Sequence, residues 1–317
     1  MKAITKYKYG GPEILKLEEV EKPKIKEKHL LIHVKANSVN PADWHILRGK
    51  PLFARLTMGF FKPKDTILGA DFAGIVEEVG SGVTNFKVGD RVFGEFLDGG
   101  GAFAEYACVP EAACGSMPEG TNEIEMAAVP IAGLTALQAL ITHGKLKEGE
   151  SVLINGSSGG VGHFTVQVAK AYGAQVTAVC SGRNVDFVKS LGADKVIAYD
   201  QESIHQHAGK YDLIIDTNGN LNYADYKRMG KRGIMVGFTT MGHMMSVLLK
   251  NLFSKFSLRV FTASANNEDL NTLANLIKEG KVKPHIEKTY PHSEMPEAIA
   301  YIESMRTRGK VAISWDL

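Results

Sequence analysis

Residues 155–162 read Asn-Gly-Ser-Ser-Gly-Gly-Val-Gly, a spacing of glycines that can lay backbone amides against a phosphate. Glycines 156, 159 and 162 permit a tight turn and a close approach of helix to strand, so the first amides of the helix face outward. No Lys-Ser or Lys-Thr pair follows the glycines, which disfavours a nucleoside-triphosphate loop and leaves a dinucleotide pyrophosphate as the better fit. Ser158, Gly159, Gly160, Val161 and Gly162 are the expected contacts; an ordinary flexible connection is the alternative. Past the next apolar run the chain continues Cys180-Ser181-Gly182-Arg183-Asn184, where a fold preferring NAD carries an acid for the adenosine ribose. An acid would repel a 2′-phosphate, whereas Ser181 and Arg183, with Asn184 beside them, suit one, Arg183 through a charge-assisted bond. The expected cofactor is therefore NADPH, against the alternative of a solvated arginine beside a plain turn. Tyr199 is expected either near the same phosphate or packed as an aromatic.

The elements that must position these residues follow from periodicity. Residues 151–154 form an apolar strand, and Val161, Phe164, Val168 and Ala169 recur at helical spacing, giving a helix over about 160–172 and a second strand over 175–179. Further strands are expected at 195–198, 211–215, 233–236 and 258–261, with helices between several of them; such alternation predicts a doubly wound parallel sheet. Before residue 120 the pattern is different. Short apolar runs at 30–36, 74–79, 91–94 and 103–109, punctuated by Gly, Pro and Asp, read as a mostly β domain, with the Gly99-Gly100-Gly101 run as a turn. Residues 269–279 and 294–305 read as helices and 310–315 as a closing strand that returns to the first domain. The Met- and Leu-rich stretch 241–253 is either a packing or dimer-forming helix or an apolar wall over a substrate.

The chain has 317 residues and a formal net charge of +2, large enough for two domains and without the basic stripe that a nucleic-acid partner requires. Its three cysteines, Cys108, Cys114 and Cys180, are too scattered for a disulfide framework or a four-ligand zinc site, which fits a reducing compartment. The N-terminal residues show no signal-peptide core, and no run of eighteen apolar residues occurs. A cytoplasmic location and no membrane partner are expected.

Residues 149–170, from Gly149-Glu150-Ser151 through Gly156, Gly159, Gly160 and Gly162 to Ala169-Lys170, resemble without a break the signature of zinc-independent medium-chain dehydrogenases/reductases of the quinone oxidoreductase (zeta-crystallin-like) group. The resemblance continues in Asn40-Pro41-Ala42-Asp43, Leu68-Gly69-Ala70-Asp71, Gly89-Asp90-Arg91-Val92, Ser190-Leu191-Gly192-Ala193-Asp194 and residues 211–216, and so spans essentially the whole chain. It implies an α/β protein with a GroES-like mostly β catalytic domain over 1–122 and 266–317 and an NADPH-binding Rossmann domain over 123–265. In zinc-dependent relatives a Cys and a Gly-His-Glu element help to build the metal site. Here Ser38 stands in place of that Cys and Gly69-Ala70-Asp71 in place of Gly-His-Glu, so no metal is expected.

By the same resemblance the activity is NADPH-dependent reduction of quinones, or of the carbon–carbon double bond of α,β-unsaturated carbonyls. A donor near the oxygen would stabilise the charge that develops there. Simple ketone reduction and a non-catalytic NADPH-sensing or structural role are the alternatives. The substrate is expected to be a small apolar quinone or enone, and a homodimer is the family expectation. Asn40 is the leading polar contact near nicotinamide or carbonyl, against capping the turn at Pro41. Asp43 either orients neighbours or begins a helix, and Trp44 lines the pocket. Arg48 is a donor or a surface salt link, and Thr135 touches the nicotinamide edge or bonds its own helix. Asn218, Gly237 and Phe238 follow predicted strand ends and could cradle nicotinamide or its ribose. Lys310 neutralises phosphate or is an ordinary exposed lysine.

Overall fold

A computed structural model describes residues 1–97, 101–207 and 211–316. Gly99 and Gly100 of the expected glycine turn lie outside the described residues, while Gly101 takes the left-handed backbone its lack of a side chain allows (φ +96°). The chain divides into two compact units: Met1–Ile131 with Ala265–Lys278 and Pro284–Leu317, and Ala132–Ser264 with Glu279–Lys283.

In chain order the first unit contributes β1 (Lys2–Thr5), β2 (Lys16–Glu19), β3 (His29–Val39), β4 (Asp71–Val79), β5 (Arg91–Glu95), β6 (Tyr106–Pro110) and β7 (Cys114–Ser116). The second contributes β8 (Ser151–Asn155), β9 (Gln175–Cys180), β10 (Lys195–Ala198), β11 (Tyr211–Asp216), β12 (Gly230–Met235) and β13 (Ser257–Val260), and the chain then returns to the first with β14 (Ile286–Pro291) and β15 (Lys310–Ser314).

The second unit is a six-stranded sheet in the order β10-β9-β8-β11-β12-β13, every neighbour parallel. Its central strands are buried on both faces, so Val152-Leu153-Ile154 and Leu213-Ile214-Ile215 read as continuous apolar runs rather than as alternation. The order reverses beside β8, and the helix Gly160–Ala171 begins at its carboxyl end. The strand ends of such a sheet are where a ligand is expected.

In the first unit the sheet runs β14-β15-β3-β4-β5-β7, with β6 on β3. β15 pairs antiparallel with β3 so that Ala312 faces Ser38, which brings the last strand beside residues met near the start. The strand expected at 103–109 begins only at Tyr106, because Ala102 and Phe103 spend their amides on Gly69 and Leu68, and the Phe103 carbonyl accepts Ile4 N–H.

The expected boundary at 122 shifts to 131. Helix Glu123–Ala127, capped by Asn122 (2.9 Å to Glu125 N), packs on β3 and β4 and so belongs to the first unit. Helix Asn267–Lys278 likewise packs on β7, where Asn267 Nδ2 donates to the Cys114 carbonyl (2.7 Å). Helix Met241–Leu252 buries Val247 in the core beneath β12, yet Met245, Leu249, Leu252 and the following Phe253 remain exposed.

Candidate functional site

In the second unit β8 ends at Asn155, and Gly156 turns the chain with φ +85°. The turn is stitched to β9: Gly156 N and Ser157 N both donate to the Val179 carbonyl (3.1 and 3.0 Å), and Ser157 Oγ accepts Val179 N–H (3.0 Å). A Cβ at Gly162 would lie 2.0 Å from the Gly156 carbonyl oxygen, and one at Gly156 would lie 2.5 Å from Asn218 Oδ1. Neither position accepts a side chain: at Gly162 the backbone of Gly156 and Ser157 fills the space, and at Gly156 the left-handed backbone disfavours one. Gly159 is the N-cap of helix Gly160–Ala171 and has no side chain to fill the cap. The first-turn amides of Gly160, Val161 and Gly162 therefore remain for an external acceptor, with the positive end of the helix dipole behind them. These are the features a dinucleotide pyrophosphate requires, and the residues present fit it.

At the end of β9, Asn184 Nδ2 donates to Ser158 Oγ (3.0 Å) and Ser181 Oγ (3.2 Å), so three of the expected residues meet in one hydrogen-bonded group. Arg183 is exposed beside them. Sequence reasoning missed a neighbour. Asp200 Oδ1 accepts Gly182 N–H at 2.7 Å, because β10 runs parallel to β9 with Ala198 opposite Cys180 and delivers its following turn to the same spot. An acid thus does reach the end of β9, from a segment that a scan of the residues immediately following that strand does not include. Tyr199 is 60% exposed, which answers against its reading as a packed aromatic.

Asp216 closes β11 fully buried, accepting Asn155 Nδ2 (2.7 Å), Gly219 N (2.9 Å), Leu221 N (3.0 Å) and Tyr226 OH (3.0 Å). Burial raises its pKa, and the four donors work in the opposite direction. This fixes the loop carrying Asn218, whose Gly219 lies so near the Gly237 carbonyl that a Cβ there would meet it at 1.8 Å. Asn218, Gly237 and Phe238, the last 40% exposed, therefore sit together with Gly156 at the carboxyl ends of β8, β11 and β12. Thr135, 8% exposed and in the same unit, lies on helix Pro130–Leu137.

The first unit contains a second polar group. Asp71, with no exposed surface, accepts Ser38 Oγ (2.6 Å), Asn40 Nδ2 (2.8 Å) and Ile131 N (2.9 Å), and Lys310 Nζ lies 3.3 Å from its Oδ2. Lys310 also donates to Asn40 Oδ1. Lys310 is only 2% exposed, which corrects both sequence readings of it: its ammonium is spent inside this unit rather than on solvent or phosphate. The left-handed Gly309 (φ +69°), packed against the His285 carbonyl, sets the strand that turns this lysine inward. Asn40 is likewise 2% exposed, with both ends of its amide engaged, so it links the network instead of presenting a free donor.

Asp43 begins helix Pro41–Arg48 by accepting Asn40 N–H (2.7 Å). Its burial, with Asp71 nearby, raises its pKa to about 7. Trp44 packs on the core around Val39 and Leu47 and stacks on His45. Arg48 is a salt link to Glu303.

Asp43 also lines a cavity of about 360 Å³ with Ile46, Met58, Ile67, Leu68 and Lys6. Lys6 is 2% exposed and donates to the Ile46 carbonyl at 3.3 Å; burial lowers its pKa to about 8. Nothing in the alternation Lys6-Tyr7-Lys8 singled it out, since such lysines usually lie in solvent. A larger open hollow of about 770 Å³ lies in the second unit against Ser151, Gln175, Lys195 and Tyr211, the first residues of β8 to β11. That is the amino end of the sheet, opposite to the glycine turn, and it is not assigned to the chemistry.

Comparison with known proteins agrees with this geometry. The family described as alcohol dehydrogenase GroES-like domain matches residues 26–119, and zinc-binding dehydrogenase matches 191–313. The chloroplast envelope quinone oxidoreductase homolog of Arabidopsis thaliana is 35% identical, covering 99% of this chain and 98% of the relative. The chain belongs to the quinone oxidoreductase family of medium-chain dehydrogenases/reductases. The NADPH-dependent alkenal/one oxidoreductase of Arabidopsis thaliana is 34% identical over 99% of this chain and 79% of its own length. The quinone oxidoreductase from Coxiella burnetii superposes with a TM-score of 0.88 at 32% identity, covering 99% of both chains.

The zinc implied by one family description does not fit this quinone oxidoreductase fold. Where a metal would need lone pairs, Ser38 Oγ–H, the Asn40 amide and the Lys310 ammonium all donate toward Asp71 Oδ2. Among the described residues no cluster of three His, Cys, Asp or Glu side chains could hold a metal ion.

Proposed function

We propose that the protein uses NADPH to reduce small apolar quinones or the carbon–carbon double bond of α,β-unsaturated carbonyls, without zinc. The observation that carries this reading is the open cap at Gly159, with its backbone-only turn, in a chain whose full-length relatives are named for quinone and alkenal/one reduction. NADPH, when bound, supplies a hydride. Gly160, Val161 and Gly162 would hold its pyrophosphate through backbone N–H groups. Ser181 and Arg183 would hold the 2′-phosphate, and Asn184 orients Ser158 and Ser181. Asn218, Gly237 and Phe238 supply a ledge for the nicotinamide ribose.

For the acceptor, we assign the cavity in the first unit. Its volume of about 360 Å³ falls at the small end of ligand sites, and its walls of Ile46, Met58, Ile67, Leu68 and Leu97 suit a conjugated ring or enone. Charge develops on the carbonyl oxygen during reduction, so a positioned donor stabilises the transition state more than the ground state. Lys6 faces the cavity, carries spare N–H groups and is kept out of water, which strengthens its field. Asp65 and Asp43 at the same wall oppose the effect of burial on that lysine, and Asp43 can take up a proton from solvent and relay it toward the reduced acceptor near neutral pH. Asn40, Asp71 and Lys310 act at one remove, by fixing the helix that carries Asp43.

A homodimer remains part of the proposal: β13 ends the six-stranded order, and its outer edge pairs with no strand among the described residues. A cytoplasmic location stays part of the proposal, and the absence of a nucleic-acid partner is kept on the balanced charge. The test is turnover measured with NADPH and NADH across quinones, enones and simple ketones. NADPH-dependent loss of quinone or enone is expected; turnover of ketones alone, or cofactor binding without turnover of any acceptor, would replace the proposal.

A further inference from the structure

Residues 50–64 read Lys-Pro-Leu-Phe-Ala-Arg-Leu-Thr-Met-Gly-Phe-Phe-Lys-Pro-Lys, with four basic residues and no acid. Within this stretch Leu52 is 68% exposed, Phe53 58%, Leu56 73%, Phe60 59% and Phe61 90%. Single exposed apolar residues need no explanation, but five large ones within ten residues form a patch that water does not favour. Lys50, Lys62 and Lys64 are exposed beside it and form no ion pair among the described residues.

The display is built, not frayed. Tyr9 OH donates to the Gly59 carbonyl (2.6 Å) and lies 3.1 Å from that of Met58. The Arg55 guanidinium rests on the Tyr9 ring, 4.2 Å from its centroid, and donates to the Gly49 and Arg48 carbonyls. The segment is therefore pinned from inside while its apolar side chains point out. The same segment supplies Ala54, Thr57, Met58 and Pro63 to the wall of the cavity that holds Lys6 and Asp43.

An apolar patch ringed by lysines that form no ion pair among the described residues, with the adjoining exposed Asp65 lining the cavity, is complementary to one kind of surface: acyl chains beneath negatively charged headgroups. A protein partner would need acidic groups matched to each lysine, whereas a bilayer supplies both components without register. We propose that residues 50–64 form an interfacial contact with an anionic phospholipid bilayer and present the cavity behind them to lipid-soluble acceptors. The membrane contact stands by itself; only the delivery of acceptors rests on the proposed function. No helix among the described residues is long and apolar enough to cross a membrane, so the contact is with the surface of the bilayer. The expectation of no membrane partner, drawn from the lack of a signal-peptide core and of a long apolar run, does not bear on a surface contact of this kind.

The test is co-sedimentation of the full chain with vesicles of phosphatidylcholine plus phosphatidylglycerol, and of phosphatidylcholine alone, at low and high salt. Binding is expected to the anionic vesicles and to weaken with salt. Phe60→Ser/Phe61→Ser and, separately, Lys62→Glu/Lys64→Glu should each lower partitioning on the order of tenfold or more. All four positions are exposed and none lines the cavity, so turnover of a water-soluble quinone should be unchanged, while turnover of a quinone dissolved in the vesicles should fall with binding. Absence of wild-type binding to anionic vesicles overturns the proposal, as does full binding by both variants, which would move the contact to another surface such as Met245, Leu249 and Phe253. A wild-type dimer that the Phe60→Ser/Phe61→Ser variant converts to monomer would make the patch an interface between copies and would also overturn it. If neither soluble nor vesicle-borne quinone is turned over but vesicle binding follows the variants, the membrane contact holds and the proposed function fails.

Discussion

Replacing Lys310 with Met removes the cation, and its hydrogen bond to Asn40 Oδ1, from a buried network. Asp71 would keep its carboxylate at no exposure, with Ser38, Asn40 and the Ile131 amide still donating to it, but with its charge unpaired. Removing one partner of a buried ion pair costs about 3–5 kcal/mol, because the remaining charge stays out of water without compensation. For a unit of this size each kcal/mol shifts the melting temperature by about 2–4 °C, so the first unit should melt about 6–20 °C lower. The double variant Lys310→Met/Asp71→Asn removes both charges, and although one acceptor oxygen becomes an amide donor that faces Ile131 N or Ser38 and Asn40, it should recover part of that loss. Scanning calorimetry at neutral pH reads both. A single variant that melts within about 2 °C of wild type, or a double variant as unstable as the sum of its two single changes, would refute the claim that the pair is coupled and buried.

Lys6→Met should expose a trade between stability and activity. With the folded pKa lowered from 10.5 to about 8, the folded state binds fewer protons than the unfolded chain between those values. Stability from this group is thus present above pH 10.5 and lost as pH falls through about 8, a penalty on the order of 3 kcal/mol that the Met variant lacks. The variant should be more stable than wild type at pH 7, with a flatter stability profile from pH 8 to 10.5, while quinone kcat/KM falls; equal stability at both ends of that window would discount the burial of the amine. Asp43 runs the other way: its folded pKa of about 7 against the ordinary 3.8 means that its contribution is present below about pH 4 and lost as pH rises to about 7. Asp43→Asn should therefore remove a decline in stability across that window, seen in urea titrations at several pH values. Gly162→Ala places a methyl 2.0 Å from the Gly156 carbonyl, and NADPH affinity by fluorescence titration should fall at least tenfold; unchanged affinity would put the dinucleotide elsewhere. Asp200→Asn should favour NADPH over NADH and Arg183→Ala should do the reverse, so parallel losses for both cofactors in either variant would sink the assigned 2′-phosphate site.

The glycine turn and its sheet were legible because parallel strands buried on both faces are written as unbroken apolar runs, and because glycine spacing is dictated locally. The turn at Gly156 and the helix at Gly160 stand where their residues place them. The group around Asp71 was legible only in its members. Ser38 and Asn40 come from β3 and its end, and Lys310 arrives some 270 residues later through pairing of β15 with β3. No local pattern shows that a Gly-Lys pair near the end of the chain points inward. Lys6 and Asp200 escaped for a related reason: one is buried by packing of other segments over a polar-looking strand end, and the other reaches the β9 terminus by strand register. Residues 52–61 drew no reading from the sequence, and only the fold shows that their large apolar side chains face out.

The central claim is that a hydride from NADPH reaches a conjugated acceptor without a metal. It is tested most directly by incubating the metal-chelated protein with an α,β-unsaturated ketone and NADPH deuterated at the nicotinamide C4 position, then locating the label by NMR. The account predicts one deuterium on the β-carbon of a saturated ketone. Deuterium on the carbonyl carbon of an allylic alcohol, or label transfer that stops on chelation and returns with zinc, would contradict it.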